Sequence, residues 1–129
     1  MKASDATAEY DGLILPGGMP GTRNLQNSTY VLEMIKEYNE KGKLIAAICA
    51  APIVLASAGI IKGKNLTSYP GFEEDLKEAY YSQDIVVKDG NIITSRGAGT
   101  AFDFAAAIMG YLGYEKQGKE LRASMIYDR

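Results

Sequence analysis

Apolar residues along the chain come in short runs separated by polar, glycine-bearing breaks, and their spacing switches between strand-like and helix-like. Gly12 to Leu15 is one such run, stopped by Pro16-Gly17-Gly18, and Leu44 to Ile48 is another, entered through Gly42 and Lys43. Both read as buried strands of a parallel sheet. The segment from Met19 to Ser28 predicts a loop. Beyond it Val31, Leu32, Ile35 and Tyr38 recur on one helical face, with Glu33, Lys36, Glu37 and Glu40 largely on the other. Ser28 supplies the N-cap of that helix and Gly42 its C-terminal stop.

Further along, Leu66-Thr67-Ser68 predicts a third strand, and Phe72 to Tyr80 a helix with Phe72, Leu76 and Ala79 inward. Ile85 to Lys88 and Asn91 to Thr94 flank Asp89-Gly90, which predicts a type I′ hairpin. Thr100 should cap a helix in which Phe102, Ala105, Ala106, Ile108, Met109 and Leu112 are apolar nearly all round, with Asp103 placed as in a capping box. That helix is expected to be well buried. A short helix is expected at Lys119 to Ser124. Strands alternating with helices, plus one hairpin, describe an α/β domain with a mainly parallel sheet.

The run LIAAICAAP concentrates the chemistry. Cys49 sits where the strand breaks, and Pro52, which lacks an N–H, belongs in the first turn of a helix running toward Gly59. A thiol is thereby placed at a strand-to-helix turn, where free backbone N–H groups and the helix dipole favour a thiolate. A small buried hydrophobe is the alternative reading of any lone cysteine; the elbow position favours a nucleophile. The N–H groups of Gly17, Gly18 and Ala50, at the carboxyl edge of neighbouring strands, could surround an oxyanion formed when Cys49 attacks a carbonyl.

Composition narrows the rest. The 129 residues carry a formal net charge of -2, 47% hydrophobic residues and scattered Lys and Arg, so the chain is expected to be a single domain, with residues 1–9 as a polar leader, and without a basic stripe for nucleic acid or anionic membrane. No apolar run approaches the roughly 18 residues needed to span a bilayer, and the N-terminus lacks a signal-peptide core. A single cysteine fits a reducing compartment, so a cytoplasmic location is expected. With no histidine in the chain, a Cys-His pair within it is excluded and no single-chain zinc site is expected.

Other motifs weigh less. PGGMPG lacks the Gly-Lys-Ser/Thr of a phosphate loop, and in Gly97-x-Gly99-x-x-Phe102 a phenylalanine replaces the third glycine of a dinucleotide fingerprint. Tyr69 reads as a rim anchor or a proton donor. Glu73 and Glu74 read as a solvated helix start unless one of them approaches Cys49, and Arg23 and Arg96 flank the two glycine loops as candidates for steering an anionic substrate.

YDGLILPGG, AAICAAP, the TSYP segment and the KDGNIITSRGAGTAFDFA run, in this order and spacing, resemble the ThiJ/PfpI family from Tyr10 to about Leu112. The resemblance is strongest to the branch of the Parkinson-disease deglycase and bacterial glyoxalase III-type proteins. It implies a flavodoxin-like three-layer sandwich, usually homodimeric, with Cys49 as nucleophile and Gly17, Gly18 and Ala50 at the oxyanion-binding backbone positions. It also implies cofactor-free action on 2-oxoaldehydes or glycation adducts, or else redox sensing and holdase chaperoning through an oxidisable cysteine.

Two departures stand out. Many members of the branch have a histidine where Tyr69 stands. Members also begin with a strand-helix-strand segment that brings a glutamate to the cysteine, and its expected absence here makes the fold N-terminally truncated. Such a loss should expose an apolar sheet edge and drive dimerisation or swapping.

Overall fold

The computed structural model describes residues 10–125, so the expected leader at 1–9 lies outside the described residues. A four-stranded sheet runs in the order β1 (Gly12–Leu15), β2 (Leu44–Ile48), β6 (Ile92–Ser95), β5 (Val86–Asp89), the first three parallel and β5 antiparallel to β6. The register aligns Leu15 with Ala47 and Ile48 with Ser95, so the carboxyl ends of the three parallel strands share one rim. This is the mainly parallel α/β arrangement that the alternating pattern predicts.

Side chains alternate across β2. Ile45 and Ala47 join Leu15 and Ile92 on one face, under α2 (Thr29–Glu40) and α3 (Pro52–Ser57), while Leu44 and Ala46 join Ile93 on the other, under α4 (Ala101–Tyr111). The expected start of α2 holds: the Ser28 hydroxyl accepts the Val31 N–H at 3.3 Å, and Val31, Met34, Ile35 and Tyr38 are buried. Pro52 stands in the first turn of α3 as expected.

Several local expectations need correction. The segment after Pro20 is not a plain loop, because Gly21–Gln26 forms a short helix, α1, tied by the Thr22 N–H to Gly18 O. The third strand shrinks to β3 (Asn65–Leu66) and lies outside the main sheet, paired with β4 (Tyr80–Tyr81). That pairing also removes the helix expected over 72–80. With the Tyr80 N–H on Lys64 O and the Ser82 N–H on Leu66 O, the backbone is extended where the helix should finish, and only a 3-10 turn at Glu74–Leu76 remains. Leu76 is nonetheless buried, as its apolar position requires.

The hairpin is offset by one residue. Asp89 pairs with Ile92, so the loop is Gly90-Asn91, and only Gly90 has positive φ, at 61°. A positive φ at the first central residue alone is the type II′ pattern, not type I′. Asn91 keeps ordinary geometry because its side-chain amide donates to Lys43 O at 2.9 Å and its carbonyl accepts the Ile45 N–H at 2.8 Å.

At α4 the hydroxyl of Thr100 turns back to the N–H groups of Arg96 and Gly97, at 3.2 and 3.1 Å, instead of capping the helix. Asp103 faces Arg122 of α5 (Glu115–Ser124) at 3.7 Å, so no capping box forms. Helix α4 is also less buried than its composition suggests, with Ala105 and Leu112 exposed.

Candidate functional site

The rim formed by the carboxyl ends of β1, β2 and β6 holds Cys49. It is the one non-glycine among the described residues with positive φ, at 64°, a left-handed conformation that costs an unsupported residue about 1–3 kcal/mol. Both of its backbone groups are held: the N–H donates to Ser95 O at 3.1 Å and the carbonyl accepts the Tyr69 N–H at 2.8 Å. Cys49 is partly exposed and forms no disulfide. Its sulfur makes no hydrogen bond with any described residue, so no carboxylate or hydroxyl is engaged with it.

Gly17 lies directly against this elbow. A Cβ built there would fall 2.5 Å from Cys49 Cβ, 2.9 Å from Ile48 O and 3.3 Å from Ala50 N, so only glycine lets the β1 loop come so close. The N–H groups of Gly17, Gly18 and Ala50 donate to no acceptor in the described chain, although Ala50 is only 3% exposed. A buried N–H without an acceptor is uncommon and costs free energy, so it marks a place where a bound group is expected. Gly17 and Ala50 are thus brought together beside the thiol.

The remaining candidates are placed differently. Tyr69 is 52% exposed, with its ring against Gly97 and its N–H on the elbow, so it anchors through its backbone. Glu73 is exposed and its carboxylate accepts the N–H of Gly71 at 2.9 Å, within its own turn. Arg23 is exposed on α1 and donates to Gln26 Oε1 at 2.7 Å. Neither is hydrogen-bonded to Cys49. Sequence reasoning did not find Ser68, Tyr81 and Thr100, whose hydroxyls knit the surrounding loops. Nothing local marks Ser68 and Tyr81, which lie 13 residues apart, whereas Thr100 binds Ser95, Arg96 and Gly97 within five residues and its position reads from sequence only as a helix cap.

A mainly parallel α/β sheet with a left-handed cysteine at the end of a central strand and a glycine loop pressed against it defines an α/β domain with a strand-to-helix elbow at its rim. The DJ-1/PfpI family model matches residues 2–110, and the chain belongs to that family. It is 50% identical over 121 residues to Protein DJ-1alpha of Drosophila melanogaster, covering 92% of this chain but 56% of that relative. The crystal structure of Drosophila melanogaster DJ-1beta, 42% identical, superposes with a TM-score of 0.88 over 98% of this chain and 68% of its own. A structure described as Toxoplasma gondii DJ-1, oxidized, is 33% identical with a TM-score of 0.87, again over 98% of this chain and 68% of its own. The chain therefore spans little more than half the length of the first of these relatives. Its fold is that of these flavodoxin-like neighbours.

Proposed function

We propose that this chain is a cysteine-dependent protein acting on reactive 2-oxoaldehydes or their glycation adducts, without cofactor. Cys49 as thiolate adds to the aldehyde carbon, and the π pair moves onto oxygen. The N–H groups of Gly17, Gly18 and Ala50 then receive the oxyanion. Transfer of the aldehyde hydrogen to the neighbouring carbon as a proton leaves a thioester, and water releases the 2-hydroxy acid and the thiol. The proton is carried by water or by an acid outside the described residues, with Glu73 or Glu74 as poor substitutes. The observation that supports this reading is the set of N–H groups without acceptors beside a partly exposed thiol.

The test is lactate formation from methylglyoxal by the chain and by Cys49→Ala. Turnover by the first and background by the second is the expected result, and equal rates overturn it. A second reading, a redox sensor or holdase in which Cys49 becomes a sulfinate held by the same N–H groups, is favoured by the relative described as oxidized and by the lack of any proton partner on the sulfur. Selective addition of two oxygens under mild peroxide, with no aldehyde turnover, would select it.

The proposal includes a cytoplasmic setting, from the lone cysteine, and no nucleic-acid partner, from the net charge of -2. Among the described residues no helix is long and apolar enough to cross a membrane. It also includes a homodimer or swapped oligomer: β1 ends the sheet with no strand on its outer edge among the described residues, and Ile14 on that strand is 54% exposed.

A further inference from the structure

We propose that Arg96 is the positioning residue of the Cys49 elbow, an inference that rests on the reading of Cys49 as the reactive centre. The left-handed cysteine is held through two backbone bonds, to Ser95 O on one side and from the Tyr69 N–H on the other. These partners belong to different parts of the chain, Ser95 ending β6 and Tyr69 following β3. The Thr67 N–H donates to Thr94 Oγ1 at 3.0 Å and ties the two segments upstream of these partners, but beyond that bond a further link is needed if the elbow is not to open by sliding the two loops apart.

Arg96 closes that gap. It follows Ser95 directly in the chain, and its Nε donates at 3.0 Å to the carbonyl of Ser68, which directly precedes Tyr69. Cys49, Ser95, Arg96, Ser68 and Tyr69 thus form a closed ring in which every link is a covalent neighbour or a hydrogen bond, and the only side chain in the ring is the guanidinium. Its orientation is set from outside the ring: Nη2 donates at 3.3 Å to the Tyr81 hydroxyl, which itself donates to Ser68 O at 3.2 Å, and the Arg96 N–H is held by the Thr100 hydroxyl. No carboxylate pairs with Arg96 among the described residues. Its contacts are neutral acceptors approached by a planar fork, a geometry that a lysine ammonium cannot reproduce.

The experiment measures amide hydrogen exchange at Cys49 and Tyr69 by NMR, and the rate of Cys49 alkylation by iodoacetamide at neutral pH, in the chain as it stands and in Arg96→Lys, Arg96→Ala and Tyr81→Phe. Arg96→Lys, which keeps the charge, and Arg96→Ala should both exchange these two amides at least about tenfold faster and alkylate correspondingly slower. Tyr81→Phe should give a smaller change of the same sign, and the Val54 amide of α3 should not change in any variant. Wild-type exchange and alkylation in Arg96→Lys would overturn the proposal, because charge alone would then suffice. If Arg96→Ala does not fold, the lysine and phenylalanine variants still decide. Aldehyde turnover is not a readout here. Its absence from the unmodified chain would therefore sink the functional reading and leave the ring standing, whereas unchanged exchange beside intact turnover would sink the ring alone.

Discussion

The two faces of the sheet are built unequally. On one, Leu15, Ile45, Ala47 and Ile92 lie under α2 and α3 in a continuous cluster that includes Ile35, Tyr38, Ile53, Val54 and Leu55, none more than 4% exposed. On the other, Leu44, Ala46 and Ile93 meet only Phe104 and Ile108 of α4 as buried partners, and the same face of β1 carries Ile14 at 54% exposure. The first face is closed by what the chain itself supplies; the second is closed over β2, β6 and Val86 of β5 but not over β1. Stability should therefore depend mainly on the first face and association on the second, with the rim that holds Cys49 standing at the end of the strands they share.

Truncation on the closed face should have the largest effect. Leu55→Ala removes a fully buried side chain from a cluster that has no free surface to collapse onto, and is expected to cost about 2–5 kcal/mol in urea unfolding. The helix that Leu55 belongs to also carries the elbow, so alkylation of Cys49 should change in parallel. A loss below 1 kcal/mol would show that the closed face is looser than its burial implies.

The open face should respond in the opposite way. Ile14→Ser exchanges an exposed apolar side chain for a polar one and should change unfolding free energy by no more than about 0.5 kcal/mol. If β1 is the association edge, the same change should weaken self-association measured by sedimentation. Unaltered sedimentation with a monomeric parent removes the assembly part of the proposal and leaves the comparison of the faces in place.

The contrast also explains which parts of the fold could be read from residues alone. Gly12–Leu15 and Leu44–Ile48 are strands with the boundaries that their apolar runs predict, and Ser28 caps α2, because each signal acts within a few residues. Cys49 at an elbow was legible for the same reason: a strand run, a break and Pro52 are adjacent in sequence. The helix expected over 72–80 failed because its end is claimed by pairing with Asn65–Leu66, a partner its own spacing cannot show. Burial of α4 was overestimated on similar grounds, since an apolar helix reveals its own composition and not how much of it finds a cover. Arg96 was visible only as a cation beside a glycine loop. The bonds that give it a structural meaning run to Ser68 and Tyr81, brought near by topology.

The smallest expected effect lies at the sheet edge opposite β1. The Asp89 carboxylate, on β5, accepts the Asn65 N–H at 2.7 Å and its side-chain amide at 3.1 Å, tying the small β3–β4 ribbon to the main sheet. The bond from the backbone N–H of Asn65, helped by its side-chain amide, holds the Asp89 carboxyl below its usual value. A carboxyl with a depressed value in the folded state contributes stability that is present above the unfolded value, about pH 3.9, and is lost as pH falls through the lower folded value. Because the group is largely open to solvent, the contribution should be no more than about 0.3 kcal/mol. Asp89→Asn should therefore lower stability slightly near neutral pH and converge with the parent in acid, while the Asn65 amide exchanges faster in the variant at neutral pH. Unfolding curves that stay parallel from neutral pH down into acid would show that the ribbon is held by its packing against β5 and β6 and not by this carboxylate, so that both edges of the sheet would lack a polar latch.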